Sequence, residues 1–380
     1  MDRKSRRMAA SKKKGALYGV LITAGVLLVA FLWIGFMEPV RLFLPPPPTP
    51  APTLAITPSP APTSTPSPTP APEPTPITIT LTAAGDVTLG GDTRRIGTFA
   101  AFDKVWRAED SEYFLKNLEP IFTASDITIV NLEGPLTTAE KRVSKTHVFK
   151  GRPEYAKILS AGGVNLCNLG NNHALDYYAQ GLKDTKAALD AEGIAHFGFS
   201  DAYVTEIKGV TFGFCGYWAK DMDISEVKRT IRSLREDCDI VVVSFHWGTE
   251  YKYTPDRANV SLAKTAIDDG ADLVLGHHPH VVGAIEQYKG KYIVYSLGNA
   301  CFGGNFNPSD SDSMLFQQTF ILEDGAIVDG GINIIPIRIS SNSKRNNYQP
   351  VLLNEKDSQR LFAKVNNAGK DLANPIIVGR

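Results

Sequence analysis

A chain of 380 residues carries 40 lysines and arginines against 40 aspartates and glutamates, so it is neutral as a whole. The charge is uneven: the first 14 residues hold Arg3, Lys4, Arg6, Arg7, Lys12, Lys13 and Lys14 against Asp2 alone, which leaves the remainder mildly acidic. An acidic body lacks the basic stripe that phosphate backbones demand and excludes a nucleic-acid partner, while the length allows one large domain with appendages.

Residues 1–14 read as a basic cytoplasmic tail. Residues 15–37, GALYGVLITAGVLLVAFLWIGFM, contain no charge. As a helix this stretch spans about 34 Å, enough to cross a hydrocarbon core of about 30 Å. A signal peptide has a shorter apolar region, about 7–15 residues, and ends at a small-residue cleavage site. The stretch therefore predicts one uncleaved transmembrane helix, and the positive-inside rule puts everything beyond it outside the cell. The expected placement is a single-pass cell-membrane protein with an extracellular C-terminal domain. Residues 38–76 form a Pro/Thr/Ser-rich linker that cannot bury a core and favours an extended polyproline path. It reads as a plain spacer, with a glycosylated stalk as the other reading.

From residue 77 to about 340 two periodicities alternate. ITITLTAAGD and DITIVNLEG read as strands separated by a helix in SEYFLKNLEPIF. PEYAKILSAG is helical, GVNLCNLG extended, and DYYAQGLKDTKAALDAEG a helix stopped at Gly193. Further on, helices in DISEVKRTIRSLRED and RANVSLAKTAIDDG alternate with strands in CDIVVVSFHW and ADLVLGHH. Two hairpin-like pieces, VTEIKGVTFGFCGY and GAIEQYKGKYIVYSLGN, each turn at Lys-Gly. The domain ends β-rich, and residues 341–380 form a polar C-terminal extension with a helix near Glu355–Val365. Strand–helix alternation predicts an α/β layered fold with much parallel sheet, in which ligands bind beyond the carboxyl ends of strands. The four cysteines, Cys167, Cys215, Cys238 and Cys301, show no dense disulfide spacing, and no obligatory disulfide is expected.

The unusual polar residues fall at those strand ends. They are Asp86, then Asn131 and Glu133, then Asn171, Asn172 and His173, then His246, then His277, His278 and His280, and finally Asn299. A lone histidine or an aspartate after a glycine is ordinary loop or cap chemistry. Six strand ends carrying carboxylate, amide or imidazole point instead to a shared site. Mixed oxygen and nitrogen donors suit zinc, manganese or iron rather than calcium, and a bridging carboxylate would make a two-metal clamp. On an extended loop, residues two apart face the same way, so His278 and His280 would reach the cluster while His277 points away. His147 and His196 are expected to bind no metal.

In order along the chain, GDVTLGG, NLEGPLT, NLGNNHALDYYAQGLKDT, AHFGFS, SFHWGTEY, GHHPHVV and YSLGNACF resemble the poly-gamma-glutamate capsule biosynthesis protein CapA family over roughly residues 78–305. That family is similar to the calcineurin-like metallophosphoesterases. The resemblance implies a four-layer αββα sandwich of metallophosphoesterase type over residues 77–340, preceded by the transmembrane helix and the Pro-rich linker. It implies one or two divalent metal ions (manganese, zinc or iron) held by Asp86, Glu133, Asn172, His246, His278 and His280. His173 takes the part of proton donor or transition-state contact, a task imidazole suits. Three places depart from the phosphoesterase pattern. Thr88 stands where a histidine usually follows the first aspartate, Glu133 replaces the bridging aspartate, and Ala174 replaces an acidic residue, with Asp176 nearby.

Lys145, Lys150, Arg152 and Asn299 are candidates to hold substrate, the three basic residues reading equally well as a solvated loop. Trp247, Tyr251 and Tyr253 either wall the cleft or pack against a neighbouring loop. The resemblance implies an outward-facing component of capsule or poly-gamma-glutamate synthesis or export, with a metal-dependent hydrolase-type site. Its partners would be the membrane, an anionic polymer or phosphoester substrate, and other capsule-synthase subunits. Two other functions remain open: a cell-envelope metallophosphoesterase unrelated to polyglutamate, and a non-catalytic metal-binding scaffold.

Overall fold

The computed structural model describes residues 76–95 and 97–379. The basic tail, the apolar stretch 15–37 and the linker up to residue 75 lie outside the described residues, within which no helix is long and apolar enough to cross a membrane.

In chain order the elements begin with β1 (Ile77–Thr88), β2 (Gly91–Asp92), α1 (Thr98–Ala108), α2 (Glu112–Leu115), α3 (Glu119–Thr123), β3 (Ile127–Leu132) and β4 (Phe149–Lys150). There follow α4 (Ala156–Ala161), β5 (Leu166–Asn168), α5 (Tyr178–Ala191), β6 (Ala195–Phe197), β7 (Tyr203–Ile207), β8 (Val210–Trp218), α6 (Ile224–Asp237) and β9 (Ile240–His246). Next are α7 (Arg257–Asp268), β10 (Leu273–His277), β11 (Ile285–Tyr288), β12 (Lys291–Val294) and β13 (Asn299–Phe302). The described chain closes with β14 (Asp312–Glu323), β15 (Ala326–Arg338), β16 (Val351–Leu352) and α8 (Glu355–Ala368).

Two sheets result. The first runs β16-β15-β14-β1-β3-β5-β6, with β13 also on β1; the second runs β11-β12-β10-β9-β8-β7. Their central pairs, β1–β3–β5–β6 and β8–β9–β10–β12, are parallel, and hairpins supply the antiparallel edges. Both Lys-Gly turns form as expected, with positive φ at Lys208–Gly209 and Lys289–Gly290, the two left-handed residues that a type I′ turn requires.

The layering follows from which side chains are apolar. Ile79, Leu81 and Ile129 of the first sheet meet Phe214, Val242 and Leu275 of the second in one buried core. The outer face of the first sheet packs Val130 and Cys167 against Phe102, Phe114 and Ile158 from the helices. The outer face of the second packs Val241, Val243 and Val274 against Ile231 and Ala266. This is a helix–sheet–sheet–helix sandwich. All four cysteines are buried and unpaired.

Two features differ from expectation. The helix read at SEYFLKNLEPIF is two short pieces, α2 and α3, with Pro120 opening the second. The helix α1 was not anticipated: its Gly97 start has no side-chain cap, so the usual start signal is missing. The extension after residue 340 folds back onto the sandwich. There β16 pairs with β15, Asn354 caps α8 through the Asp357 N–H, and Leu361 and Val365 enter the core between the sheets.

Candidate metal centre

The carboxyl ends of the parallel strands from both sheets converge on one buried cluster. Asp86 arrives through an irregularity in β1, whose register with β3 shifts between Ala83 and Asp86. Gly85 permits it, because a Cβ there would fall 2.0 Å from the Gly298 carbonyl oxygen. A shift of this kind re-aims a side chain without ending the strand. Asp86 Oδ1 accepts from Asn131 Nδ2 at 2.8 Å, and Oδ2 accepts from the His278 N–H at 3.1 Å. Asn131 is in turn held by Asn168 at 2.9 Å, so an amide ladder fixes the first carboxylate.

Glu133 follows β3 and is almost completely buried, at 1% exposure. Its Oε1 has no hydrogen-bond partner. Three imidazoles face that oxygen: His246 Nε2 at 3.4 Å, His173 Nε2 at 3.9 Å and His280 Nε2 at 4.0 Å. Its Oε2 accepts from Thr88 Oγ1 at 3.4 Å. A buried carboxylate oxygen with no partner costs several kcal/mol unless a cation compensates it. His246 ends β9, and its Nε2 lies 3.0 Å from His278 Nδ1.

The His278–Pro279–His280 segment is not the extended loop that the alternation argument assumed. His278 has φ 95° and His280 φ 57°, so a tight turn, not a pleat, sends both rings to the cluster. Left-handed backbone at non-glycine residues costs of order 1–3 kcal/mol each and gathers at functional sites. His280 Nδ1 faces Asn299 Oδ1 at 2.9 Å and Asp86 Oδ2 at 3.3 Å, which turns its Nε2 towards Glu133. His277 does not point away as expected. It ends β10 opposite His246, its ring is buried, and its Nδ1 lies 3.7 Å from Asp86 Oδ1.

The electrostatics follow from burying two carboxylates among imidazoles. Burial opposes ionisation of Asp86, but its bond to His280 and the nearby histidine charges hold its carboxyl below the usual range. Burial likewise opposes the Glu133 charge, and His280 and His246 hold it well below the usual value. Burial works against the His280 cation, yet Glu133 and Asp86 outweigh it and push His280 up to about 10. Burial, with like charge from His246, takes His278 down to about 3, and burial takes His277 down to about 4.

These donors sort into sets whose ligand atoms lie within 4.8 Å of one another: Asp86–Glu133–His280 and Glu133–His246–His278, with Glu133 common to both. The unpartnered Glu133 Oε1 and the equally unpartnered, buried Asn172 Oδ1 fit a divalent cation, and mixed nitrogen and oxygen donors suit zinc, manganese or iron. A third set joins Glu250 to His278 and His280. Sequence reasoning missed Glu250, although it stands four residues after His246 in SFHWGTE.

His173 lies beside the cluster. Its Nδ1 meets Asp176 Oδ2 at 2.7 Å and its ring stacks on Phe149 with centroids 3.9 Å apart. Lys145 pairs with Asp176 at 2.5 Å and donates to the Asn172 carbonyl at 2.7 Å. The other two basic candidates are engaged elsewhere. Lys150 donates to the Ala139 carbonyl at 2.5 Å, and Arg152 clasps Asp103 of α1 at 2.6 and 3.2 Å. Trp247 is buried and donates to the Tyr295 carbonyl, and Tyr253 bonds Asp310. Tyr251 is exposed, with its ring 6.4 Å from His280, so it alone of the three aromatics borders the cluster. His147 pairs with Asp92 and His196 with Asp190.

The chain matches the family model described as bacterial capsule synthesis protein PGA_cap over residues 80–304. It is 34% identical over 241 residues to the PGA biosynthesis protein CapA of Bacillus subtilis, covering 57% of this chain and 63% of that protein. It is 28% identical over 265 residues to the capsule biosynthesis protein CapA of Bacillus anthracis, covering 62% and 63%. It therefore spans less than two thirds of the length of either Bacillus relative. Among solved structures, the calcineurin-like phosphoesterase YfkN of Bacillus subtilis aligns over 78% of this chain and 98% of its own, at 13% identity and a TM-score of 0.43. The family match takes in more than half the chain and includes Asp86, Glu133, Asn172, His173, His246, His278, His280 and Asn299, and the chain belongs to the bacterial capsule synthesis protein family PGA_cap.

Proposed function

We propose that this protein is a membrane-anchored, outward-facing component of capsule or poly-gamma-glutamate synthesis or export, with a metal-dependent hydrolase-type site. The observation that carries the reading is Glu133, a buried carboxylate shared by two donor sets, whose Oε1 faces three imidazoles and bonds to nothing. Asp86, Glu133 and His280 would hold one divalent ion, and Glu133, His246, His278 and Asn172 a second. Divalent ions there would supply Lewis-acid polarisation and acidify a water towards neutrality.

The chain's own groups do the rest. Asp176 accepts from His173 Nδ1–H and thereby leaves Nε2 directed at the Glu133 side, where the doubly protonated ring would give its Nε2 proton to a leaving oxygen and return to the neutral Nδ1–H form. Lys145 neutralises Asp176 and ties it to the Asn172 backbone. Asn299 orients His280 as a carbonyl partner typically orients a metal-binding imidazole. The apolar stretch 15–37 supports the membrane anchor, and the names of the Bacillus relatives support the capsule role. An anionic polymer or phosphoester is the substrate class, with other capsule-synthase subunits as partners.

Metal analysis of the purified full chain, with turnover of a phosphodiester panel and of poly-gamma-glutamate, tests this reading. The expected result is stoichiometric manganese, zinc or iron, with metal and turnover both lost in His246→Ala and His278→Ala. A folded chain with metal but no turnover would leave the metal-binding scaffold as the function, and one with neither would end the hydrolase reading.

A further inference from the structure

One cavity of the domain collects positive charge without a matching carboxylate. It has a volume of about 270 Å³ and lies where the chain after β13 meets the loop after β15. Arg338 at the end of β15 lines it together with Lys344 and Arg345 of the loop, and no aspartate or glutamate does. Arg338 gives its bonds to the Ser340 and Ser341 carbonyls, at 2.6 and 3.4 Å. The nearest carboxylates along the chain, Asp310 and Asp312, are spent on Tyr253, Lys364 and Arg360.

Exposed cations are common, so charge alone would carry little. The second observation is that the loop beneath them is built by buried polar side chains. Ser340 is buried, and its Oγ accepts from the Asn342 and Asn347 N–H groups at 3.2 and 3.1 Å and donates to Asn347 Oδ1 at 2.7 Å. Asn342 Oδ1 accepts from the Lys344 N–H at 2.8 Å. Asn346, also buried, donates to the Phe302 and Asn305 carbonyls at 2.5 and 3.1 Å. These bonds set the backbone under Lys344 and Arg345 before any ligand arrives, which lowers the ordering cost of binding. Like charges held around one cavity repel one another, and an anion relieves that repulsion. The cavity neighbours the metal centre through Phe302, whose carbonyl takes the Asn346 bond and whose ring centroid lies 5.3 Å from that of His280.

We propose, resting on the capsule-polymer reading above, that this cavity is a binding subsite for a carboxylate-bearing anionic polymer, held by Arg338, Lys344 and Arg345. Single negative charges repeated along a chain match three monovalent cations carried on two segments. The volume is near the lower end of the roughly 300–1,000 Å³ of ligand clefts, which suits a short stretch of polymer.

The test is calorimetric titration of the purified full chain with poly-gamma-glutamate in chelator, so that bound metal contributes nothing. Lys344→Ala/Arg345→Ala is expected to weaken binding at least about tenfold, the loss of one charge-assisted hydrogen bond or more. Lys104→Ala/Lys356→Ala removes the same charge from exposed positions outside the cavity and should leave the affinity unchanged, since salt screens scattered surface charge. Because the loop's frame uses neither the Lys344 nor the Arg345 side chain, the melting temperature of that variant should match the wild type. Equal losses in the two double variants, or no loss in the first, overturn the subsite and leave the polymer reading standing. Tighter, Arg345-dependent binding of polyphosphate would assign the cavity to a phosphate polymer and overturn the carboxylate proposal. A wild-type chain that binds no poly-gamma-glutamate overturns the subsite and the polymer reading together.

Discussion

The two sheets bring different chemistry to their common edge. The first delivers the candidate oxygen donors, Asp86 from β1, Glu133 after β3 and Asn172 after β5, together with Asn299 at the start of β13, which faces His280. The second delivers nitrogen donors: His246 ending β9, and His278 and His280 just beyond β10. The devices differ as well. The first sheet aims Asp86 with a shifted register, whereas the second aims its histidines with left-handed backbone after the strand. Neither sheet owns a complete donor set, since each set within the cluster proper takes its carboxylates from one and its imidazoles from the other. The site belongs to the seam, and its integrity depends on how the sheets pack.

Breaking the seam should have the largest effect. Phe214 is fully buried in the core between the sheets, and Phe214→Ala is expected to cost about 3–5 kcal/mol. Mn2+ affinity should fall with it although no donor has changed, as chemical denaturation and calorimetry on the same sample would reveal. Unaltered affinity in a destabilised variant would mean that each sheet holds its donors independently.

A second change sharpens the contrast between donors and the imidazole beside them. Asp176→Asn removes the carboxylate that orients His173 and is expected to lower turnover about 100-fold with Mn2+ affinity unchanged. Equal losses of both would put His173 among the metal donors.

The histidines also divide the pH response of the metal-free chain. His280, pushed up to about 10, stabilises the fold fully below the ordinary imidazole value of 6.5 and loses that contribution as pH rises through about 10. His277 and His278, taken down to about 4 and about 3, act oppositely: the fold loses stability as pH falls from 6.5 towards those values. Melting temperature in chelator should therefore decline on both sides of near-neutral pH, and His280→Gln should flatten only the alkaline side. An alkaline side that survives in His280→Gln would assign it to another group.

The smallest effect is expected at Arg152, which is bound to Asp103 on α1. Because the guanidinium is partly exposed, Arg152→Ala should cost no more than about 1 kcal/mol and leave Mn2+ affinity unchanged. Weakened binding of an anionic polymer by this variant would return Arg152 to the substrate side.

Strands were the readable part of this chain, because β-branched runs such as ITIVNL and IVVVSFH declare themselves over a few residues. Helix α1 was not, since nothing caps it, and overlooking it also hid Asp103, the partner that engages Arg152. The donors were readable as residue types at strand ends. The buried place of His277 was not, because it depends on the pairing of β10 with β9. Nor was the reach of Glu250, which depends on a backbone bond between two loops.

By itself, the amino-acid sequence determined the layered α/β character, the kind of polar side chain at each strand end and the family, since periodicity and short motifs are local properties. Only the tertiary structure decided which of these side chains meet. Asp86 and His278 are 192 residues apart along the chain yet joined by a hydrogen bond, and contacts of that range are set by how two sheets pack their apolar faces. The same packing placed the free oxygen of Glu133 among three imidazoles, a juxtaposition that no local pattern encodes.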